Sequence, residues 1–407
     1  MKKDHKDKNS KKEKAIWFFA GGGMHEAAVK NILERGYKLI LTDMNPKCLC
    51  AKYADEFILL DTFDIKGNLA AAKEMKNKYD IRAVVTVASD CHETVACVSR
   101  YLGLPGISPE LAHVCRYKPE MRDVLEKAGI PQPKFKRVKN LQEAKAALKA
   151  IGLPAALKAT NNSGSRGFSE IKTAKDLTQE KLNEAIKNGT TGYAIIETLL
   201  LPIENEIAEQ SVETLWYDGK MYWLNWVDRI FRKDFLKFKN LEKIGKKMYS
   251  TIGWGVEIGH INPAIHNLET KEAVREMIYK AGLAIGMGKQ KGGHILKADI
   301  ILTQKGPYIL ELTPRLSGGW DSSRTTILRG ANFIEGAISL ALGEDLNLEL
   351  WRKYFQYYNP NLFASVLTEI EMDAKDCIGR KFAVGTDFDI EKSLEKAYEA
   401  LVKKDYL

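Results

Sequence analysis

Short apolar runs alternate with helical stretches over the first quarter of this chain, in residues 15–114. The runs IWFFAGGG, KLILTD, EFILLD and AVVTVASD read as strands, and helices are predicted for residues 26–35 and near residues 69–78. Strands that alternate with helices at this spacing are joined by crossover helices and lie parallel in one sheet. The pattern therefore predicts a Rossmann-like domain, which we place at residues 15–116.

A glycine-rich turn, Gly21-Gly22-Gly23, ends the first of these strands. Such a turn before a helix can bind an anion. In a dinucleotide site the motif GxGxxG needs a third glycine for close helix packing, and counted from Gly21 that position is Glu26. Asp43 is the one feature that favours a ribose contact. An NAD-dependent oxidoreductase therefore stays only as an alternative.

Composition limits the kind of protein. The chain has 407 residues, 45% of them hydrophobic, which predicts two or three domains. Much of the net charge of +9 comes from seven lysines in residues 1–14, which we interpret as a flexible basic tail without a nucleic-acid partner. No apolar run reaches the roughly 18 residues of a membrane span. The six cysteines show no metal-binding spacing, so we expect them to be reduced and the protein to be soluble and cytoplasmic.

The pattern changes after residue 116. A helix over residues 117–129 ends at GIPQP, and a strand at 135–138 is followed by a helix to residue 151 with Asn140 as its N-cap. A hairpin is predicted around Asp218-Gly219, because this dipeptide between apolar runs favours a tight turn. A helix at 271–287 precedes the strands HILKADIIL and YILELTPR. Residues 346–407 predict a mixed α/β tail with a helix near 390–403.

A polar loop follows the strand LPAALKAT and predicts a phosphate site. In the loop NNSGSRGF, Ser163, Gly164, Ser165 and Gly167 can present amides and hydroxyls to phosphate oxygens. Lys158 alternates with apolar residues on the strand just before it. A lysine in such a strand is costly to bury without an anionic partner, so its position favours a phosphate.

Two acidic residues lie inside the apolar strands near the end of this region. The turn QKGP would bring Asp299 and Glu311 opposite each other across a hairpin, where two carboxylates suit Mg²⁺. Arg315 follows Glu311 at an even spacing and would share its face if the strand continues past Pro314. The next segment, LSGGWDSSRTT, suits a loop that binds an anionic substrate group, for which Gly318, Gly319 and Arg324 are candidates; a plain surface loop is an equal alternative.

Taken together, these residues resemble the ATP-grasp superfamily, in particular its branch with carbamoyl-phosphate synthetase, biotin carboxylase and the L-amino acid ligases. The resemblance covers about residues 15–345. It implies a mixed α/β and α+β fold with a Rossmann-like N-terminal domain, a small central ATP lid at about 134–198 and a C-terminal antiparallel sheet, the ATP-grasp domain being residues 117–345.

The resemblance also implies roles for individual residues. YKPEMRDVLEKAGIPQP places Lys118 at ATP phosphate, and the loop after Lys158 would do the same. AIIETLL places Glu197, with the backbone of Thr198 and Leu199, at the adenine, and EQSVETLWYDGK makes Glu209 a ribose contact. Asp299 and Glu311 would be the metal ligands. The residues implied to be catalytic are Arg315 and Lys158.

Two departures from the family pattern concern the metal. Thr313 stands where the family often has an asparagine, and Asp299 stands where a glutamate is commoner. The two-carboxylate minimum remains, so ATP and Mg²⁺, or Mn²⁺ in its place, are the expected cofactors.

The implied function is an ATP-dependent carboxylate-amine ligase that forms an amide through an acyl phosphate. Its partners would be small carboxylate and amine substrates, with no membrane contact, and a homodimer is allowed. Two alternatives stay open: carboxyphosphate chemistry on bicarbonate, and a nucleotide-binding scaffold without turnover.

Overall fold

The N-terminal part of the chain forms a parallel four-stranded sheet. The structure is a computed structural model and describes residues 12–162, 166–204, 206–231, 234, 257–369 and 381–407. The strand order is β3-β2-β1-β4, and the pairings β3-β2, β2-β1 and β1-β4 are all parallel. The strands are β1 (Lys14–Phe19), β2 (Lys38–Asp43), β3 (Glu56–Leu59) and β4 (Asp80–Val85).

Helices cover this sheet as the alternating pattern predicts. The side chains of β1 from Ala15 to Phe19 are fully buried, because helices pack on both faces of the sheet. Lys14, which the sequence assigns to the tail, already belongs to β1. The helices of this part are α1 (Glu26–Glu34), α2 (Ile65–Lys78), α3 (His92–Leu102) and α4 (Pro109–Arg116).

A second, antiparallel sheet follows α5 (Lys118–Lys127) and has the order β5-β8-β6-β7. Asn140 caps the next helix as predicted, since its side chain accepts a 2.9 Å hydrogen bond from the Glu143 N–H. One apolar core lies between this sheet and its two helices. The elements are β5 (Phe135–Val138), α6 (Leu141–Ile151), β6 (Ala155–Ala159), β7 (Ser169–Ile171), α7 (Gln179–Lys187) and β8 (Ala194–Thr198).

Seven strands of the described chain form the third, antiparallel sheet, in the order β13-β12-β9-β10-β11-β14-β15. The predicted hairpin is confirmed, with Asp218 and Gly219 at positive φ in its turn. The sequence did not predict the last two strands, which extend the sheet beyond residue 345. The strands are β9 (Glu209–Tyr217), β10 (Lys220–Phe231), β11 (Glu257–Asn262), β12 (Gly293–Thr303), β13 (Gly306–Thr313), β14 (Phe363–Glu369) and β15 (Lys381–Asp387).

Three further helices pack on the large sheet. The first corresponds to the helix predicted at 271–287 and the last to the one predicted near 390–403. They are α8 (Leu268–Ile285), α9 (Phe333–Ala341) and α10 (Ile390–Val402). Residues of β4, β12 and α9 share one apolar core, so the first and third sheets are packed together. Within the described residues, no helix combines the length and the apolar character needed to cross a membrane.

Candidate active site

Asp299 and Glu311 are direct partners across the antiparallel strands β12 and β13. Residues opposite each other in such a pair project from the same face of the sheet. The predicted juxtaposition is therefore confirmed. The side chain of Asp299 is 10% exposed and that of Glu311 28%, so the pair lies at the boundary between the core and the cleft.

Two cations that the sequence did not single out lie against Asp299. Its carboxylate is 2.6 Å from Lys297 Nζ and 3.6 Å from Arg229 Nη1. Burial alone would raise the pKa of Asp299, but these two charges outweigh burial and lower it. Lys297 was detectable in the sequence, because a residue two before Asp299 in a strand shares its face. Arg229 was not, since it comes from β10.

Lys118 connects Glu311 with the predicted phosphate loop. Its ammonium group lies 2.9 Å from Glu311 Oε1 and donates a 2.7 Å hydrogen bond to the Asn162 carbonyl, directly before the loop. Its backbone N–H donates to Thr160 O at 2.8 Å, which fixes the start of α5 at the end of β6. A cation is thus held between a metal-ligand candidate and the loop.

Glu197 is fully buried between two cations. Lys158 Nζ donates to its Oε2 and Arg122 Nε to its Oε1, each at 2.7 Å. Burial would raise the pKa of Glu197, yet Arg122 and Lys158 hold it at about 2. Both carboxylate oxygens of Glu197 are therefore hydrogen-bonded within the protein. The sequence missed Arg122, whose position on α5 gave no sign that it would be buried.

The phosphate loop itself lies partly outside the described residues, since Ser163, Gly164 and Ser165 are not among them. Gly167, at its far end, has φ +70°, and a Cβ there would lie 2.8 Å from the Asn188 Cβ and 3.1 Å from the Ala159 Cβ. Both the backbone conformation and the crowding require glycine at this position. The contacts of Ser163, Gly164, Ser165 and Gly167 with phosphate stay predictions.

The residues predicted to meet the adenosine lie at the end of β8 and the start of β9. Thr198 donates its N–H to Lys134 O at 2.9 Å, and Leu199 donates its N–H to Pro154 O at 3.0 Å. Glu209 is the first residue of β9, with its carboxylate 3.9 Å from Arg229 Nη1. The neighbouring Glu206 instead lies 2.9 Å from His266 Nδ1. Both carboxylates therefore have partners within the protein, and the ribose contact of Glu209 stays a prediction.

Arg315 lies beyond the end of β13 and binds the N-terminal part of the chain. The strand ends at Thr313, so the expectation that it continues past Pro314 is wrong. Arg315 Nε and Nη2 donate to Asp90 Oδ1 at 2.9 and 2.6 Å. The charges of Asp299 and Glu311 nevertheless help to raise the pKa of Arg315 against the effect of burial, which places all three near one another.

A buried polar network fixes the predicted substrate loop to the large antiparallel sheet. Glu213 accepts hydrogen bonds from the Ser317 N–H and the Ser322 hydroxyl, both at 2.8 Å. Asn225 donates to both Glu213 and Asp321, which are buried. Gly318 and Gly319 follow Ser317 at the cleft, Gly319 with φ +65°, whereas the Arg324 side chain is exposed. Substrate contacts of Gly318, Gly319 and Arg324 stay predictions.

The glycine turn after β1 is fixed by Asp43. Its Oδ2 accepts from the Gly21 N–H at 2.7 Å and its Oδ1 from the Asn45 N–H at 2.8 Å. The side chain of Glu26 accepts from the Tyr53 hydroxyl at 2.6 Å. Asp43 therefore shapes the turn, which gives the residue a structural role that needs no ribose.

The ligand set of the candidate metal site fits Mg²⁺. Throughout the part of the chain that the structure describes, no three residues of the types His, Cys, Asp and Glu gather around one point. Magnesium in nucleotide sites commonly takes one or two carboxylates and completes its octahedron with phosphate oxygens and water. Asp299 and Glu311, which lie against Lys297 and Lys118 respectively, supply the two carboxylates that such a site requires.

Comparison with known proteins finds relatives by sequence and similar folds among solved structures. No family model matches the chain. It is 26% identical over 294 residues, or 72% of its length, to the uncharacterized protein y4rH of Sinorhizobium fredii (strain NGR234), of which it covers 55%. It is 27% identical over 226 residues, 53% of its length, to alanine–anticapsin ligase of Bacillus subtilis (strain 168), of which it covers 44%. The chain thus spans about half the length of these relatives.

Solved structures show the same architecture. The ADP complex of purK, N5-carboxyaminoimidazole ribonucleotide synthetase, matches with a TM-score of 0.70 at 16% identity over 97% of both chains. The L-amino acid ligase from Bacillus licheniformis matches with a TM-score of 0.66 at 18% identity, over 88% of this chain and 80% of that one. The parallel sheet and the two antiparallel sheets correspond to the architecture of these ligases.

Proposed function

We propose that this chain, which has the ATP-grasp fold, is an ATP-dependent ligase that joins a carboxylate to an amine through an acyl phosphate and releases ADP and phosphate. One observation carries the proposal: Asp299 and Glu311 face each other on adjacent strands, with the cation Lys118 held between Glu311 and the phosphate loop. Phosphoryl transfer needs carboxylates that hold the metal and cations that bind the phosphates, and both kinds of group lie together here.

The chain's own residues divide the work as follows. Asp299 and Glu311 would hold Mg²⁺, which neutralises phosphate charge when bound. Lys118 and Lys158 would bind phosphate oxygens. The hydrogen bond from Lys158 to Glu197 orients the Lys158 side chain. The loop at residues 163–167 would close over the phosphates and exclude water.

Arg315 is the candidate for stabilising negative charge on the reacting acyl group. It is held from the N-terminal side by Asp90 and is close enough to Asp299 and Glu311 to feel their charges. A preformed cation that needs no reorganisation during the reaction is the most effective kind of electrostatic stabiliser. Its side chain is 11% exposed, which keeps the local dielectric low.

Two of the similar proteins support this proposal. Alanine–anticapsin ligase and L-amino acid ligase both carry the name of a ligase that acts on an amino acid. Bicarbonate chemistry predicts ATP turnover with bicarbonate alone, and a scaffold predicts ATP binding without turnover.

The test is a screen of acid and amine pairs for ADP release in the presence of Mg²⁺. The ligase proposal expects at least one pair to give ADP and an amide in equal amounts. Release of ADP with bicarbonate alone would support carboxyphosphate chemistry instead. Binding of ATP with no ADP above background for any pair would contradict the proposal.

A further inference from the structure

A cavity of about 110 Å³ lies between the N-terminal sheet and the large antiparallel sheet. One wall is formed by the end of β4 and by α3, the opposite wall by the start of β12 and by α9. Arg315 lines the cavity as well. The cavity therefore lies at the junction of the N-terminal sheet and the large sheet, and small-molecule sites are commonly found at such junctions.

The walls of this cavity are mostly aliphatic. On α3, the residues that line it recur at helical spacing, so one face of the helix is turned toward the space. The opposite wall is apolar too. Most residues of both walls are buried, and a few at the rim are half-buried. The lining aliphatic residues include Val95, Ala96, Ile295, Ile338, Leu340 and Ala341.

Polar residues line the cavity as well, namely Thr86, His92, Ser99, His294 and Arg315. His92 and Ser99 are 3% and 1% exposed. Among the described residues, neither the ring nitrogens of His92 nor the Ser99 hydroxyl has a hydrogen-bond partner. Buried polar groups without partners are rare and costly, so a ligand or water is expected beside them. Burial lowers the pKa of His92 to about 4, so its neutral ring can accept a hydrogen bond.

The cavity lies on the same face of the sheet as the metal-ligand candidates. Ile295, Lys297 and Asp299 alternate along β12 and share one face, and Ile295 lines the cavity. Asp299 is four residue steps along β12 from Ile295, or about 13 Å. Arg315 lines the cavity and is also near enough to both acids for their charges to raise its pKa. A carboxylate held near Arg315 would therefore direct the group on its α-carbon toward the cavity.

We propose that this cavity binds the side chain of the carboxylate substrate, and that this substrate is an amino acid with a short aliphatic side chain such as valine or leucine. The proposal rests on the ligase function proposed above. The neutral ring of His92 accepts a hydrogen bond from the substrate ammonium group, and the Ser99 hydroxyl admits a hydroxylated analogue such as threonine.

Cavity size sets the limit on the side chain. A cavity of about 150 Å³ in a protein core can hold benzene. The smaller space here suits three or four carbons and is too small for an indole. Its mostly aliphatic walls also disfavour a charged side chain, because Arg315, the guanidinium in the lining, is already paired with Asp90.

The experiment measures amino-acid binding to the full chain by calorimetry in the presence of Mg²⁺ and AMP-PNP, so that no turnover is needed. We expect valine and leucine to bind at least about tenfold more tightly than glycine, since one methylene in an apolar pocket already contributes roughly that factor. Glutamate and tryptophan should not bind. Equal affinities for glycine, valine and tryptophan, or no binding of any amino acid to the AMP-PNP complex, would overturn the proposal.

Variants then locate the site. Ala96→Leu fills the cavity and should cost at least about tenfold in leucine affinity while AMP-PNP binds as before. Ala27→Leu, on the exposed face of α1, adds the same side chain away from the cavity and should leave leucine affinity unchanged. Retention of leucine affinity in a folded Ala96→Leu variant would overturn the proposal.

Ser99→Ala provides a second variant in case Ala96→Leu does not fold. It should weaken the binding of threonine and leave that of valine unchanged, because only threonine can bond the hydroxyl. An equal effect on both would overturn the proposal. The two claims fail separately: aliphatic selectivity without ADP release in any pair contradicts the ligase, whereas ADP release without selectivity contradicts the cavity assignment.

Discussion

Asp90 accepts two hydrogen bonds from the guanidinium group of Arg315, which lies 225 positions further along the chain. The loop after β4 thereby holds the candidate catalytic arginine. The contact gives the N-terminal domain a role in the active site that does not require it to bind a nucleotide.

Replacement of Asp90 tests this role. In Asp90→Asn, Arg315 loses its charged partner and is free to move away from the reacting group. A hydrogen bond to a charged group contributes about 1.5–3 kcal/mol, so we expect kcat to fall roughly 10- to 100-fold. Steady-state kinetics with the best substrate pair measures this.

The matched control is Asp80→Asn, which removes a half-exposed partner of Arg82 at the start of β4. Its kcat should equal that of the wild type. If Asp90→Asn changed only the affinity for ATP, with kcat preserved, the positioning role would be wrong.

The buried Glu197 predicts a large loss of stability on substitution. Glu197→Gln leaves the fully buried Arg122, and Lys158, without a counter-charge. Breaking a buried ion pair from one side costs about 3–5 kcal/mol, and urea unfolding should show a loss of that order. Glu56→Gln, whose partner Lys78 is exposed, should cost under about 1 kcal/mol. Similar losses in both variants would contradict the account.

Close packing around Gly167 should make its replacement cost more than its positive φ alone would. Gly167→Ala meets both a positive φ and the Asn188 and Ala159 side chains, whereas Gly192→Ala meets the positive φ alone, with open space around it. We expect about 1 kcal/mol of destabilisation from φ in both and at least as much again in Gly167→Ala. Thermal unfolding compares them, and equal losses would show that crowding does not matter.

The buried pair Glu213 and Asp321 predicts a pH dependence of stability. Burial, and then the charge of Asp321, raises the pKa of Glu213. An acid with a raised folded pKa binds more protons in the folded state than in the unfolded state. Stability is therefore fully present below the unfolded pKa and falls as pH rises through the folded one.

We expect the free energy of unfolding to fall between roughly pH 5 and 8, and Glu213→Gln to flatten this slope because it mimics the protonated acid. Glu276→Gln, on the exposed face of α8, should leave the slope as in the wild type. The same slope in Glu213→Gln and the wild type would exclude this pair as the cause.

Local signals in the sequence predict much of this fold. The alternation of strands and helices predicts the parallel sheet, and Asp218-Gly219 predicts the hairpin of β9 and β10 in the large antiparallel sheet, because each signal depends on neighbouring residues only. The facing of Asp299 and Glu311 is predictable for the same reason, since the turn between their strands is short. The strands β14 and β15 carried no comparable pattern.

What the sequence does not reveal are contacts between distant segments. The pairing of Arg315 with Asp90, of Arg122 with Glu197 and of Arg229 with Asp299 each joins separate elements, so no spacing in the chain points to them. The same holds for the cavity beside His92, whose two walls come together only when the first and third sheets pack.

The central claim is that Asp299 and Glu311 hold the metal for phosphoryl transfer, and the most direct measurement is ADP formation by Glu311→Gln beside Glu276→Gln at matched Mg²⁺. Loss of a carboxylate ligand should lower kcat by at least about 100-fold, whereas the exposed control should match the wild type. Wild-type turnover in a correctly folded Glu311→Gln variant would contradict the account.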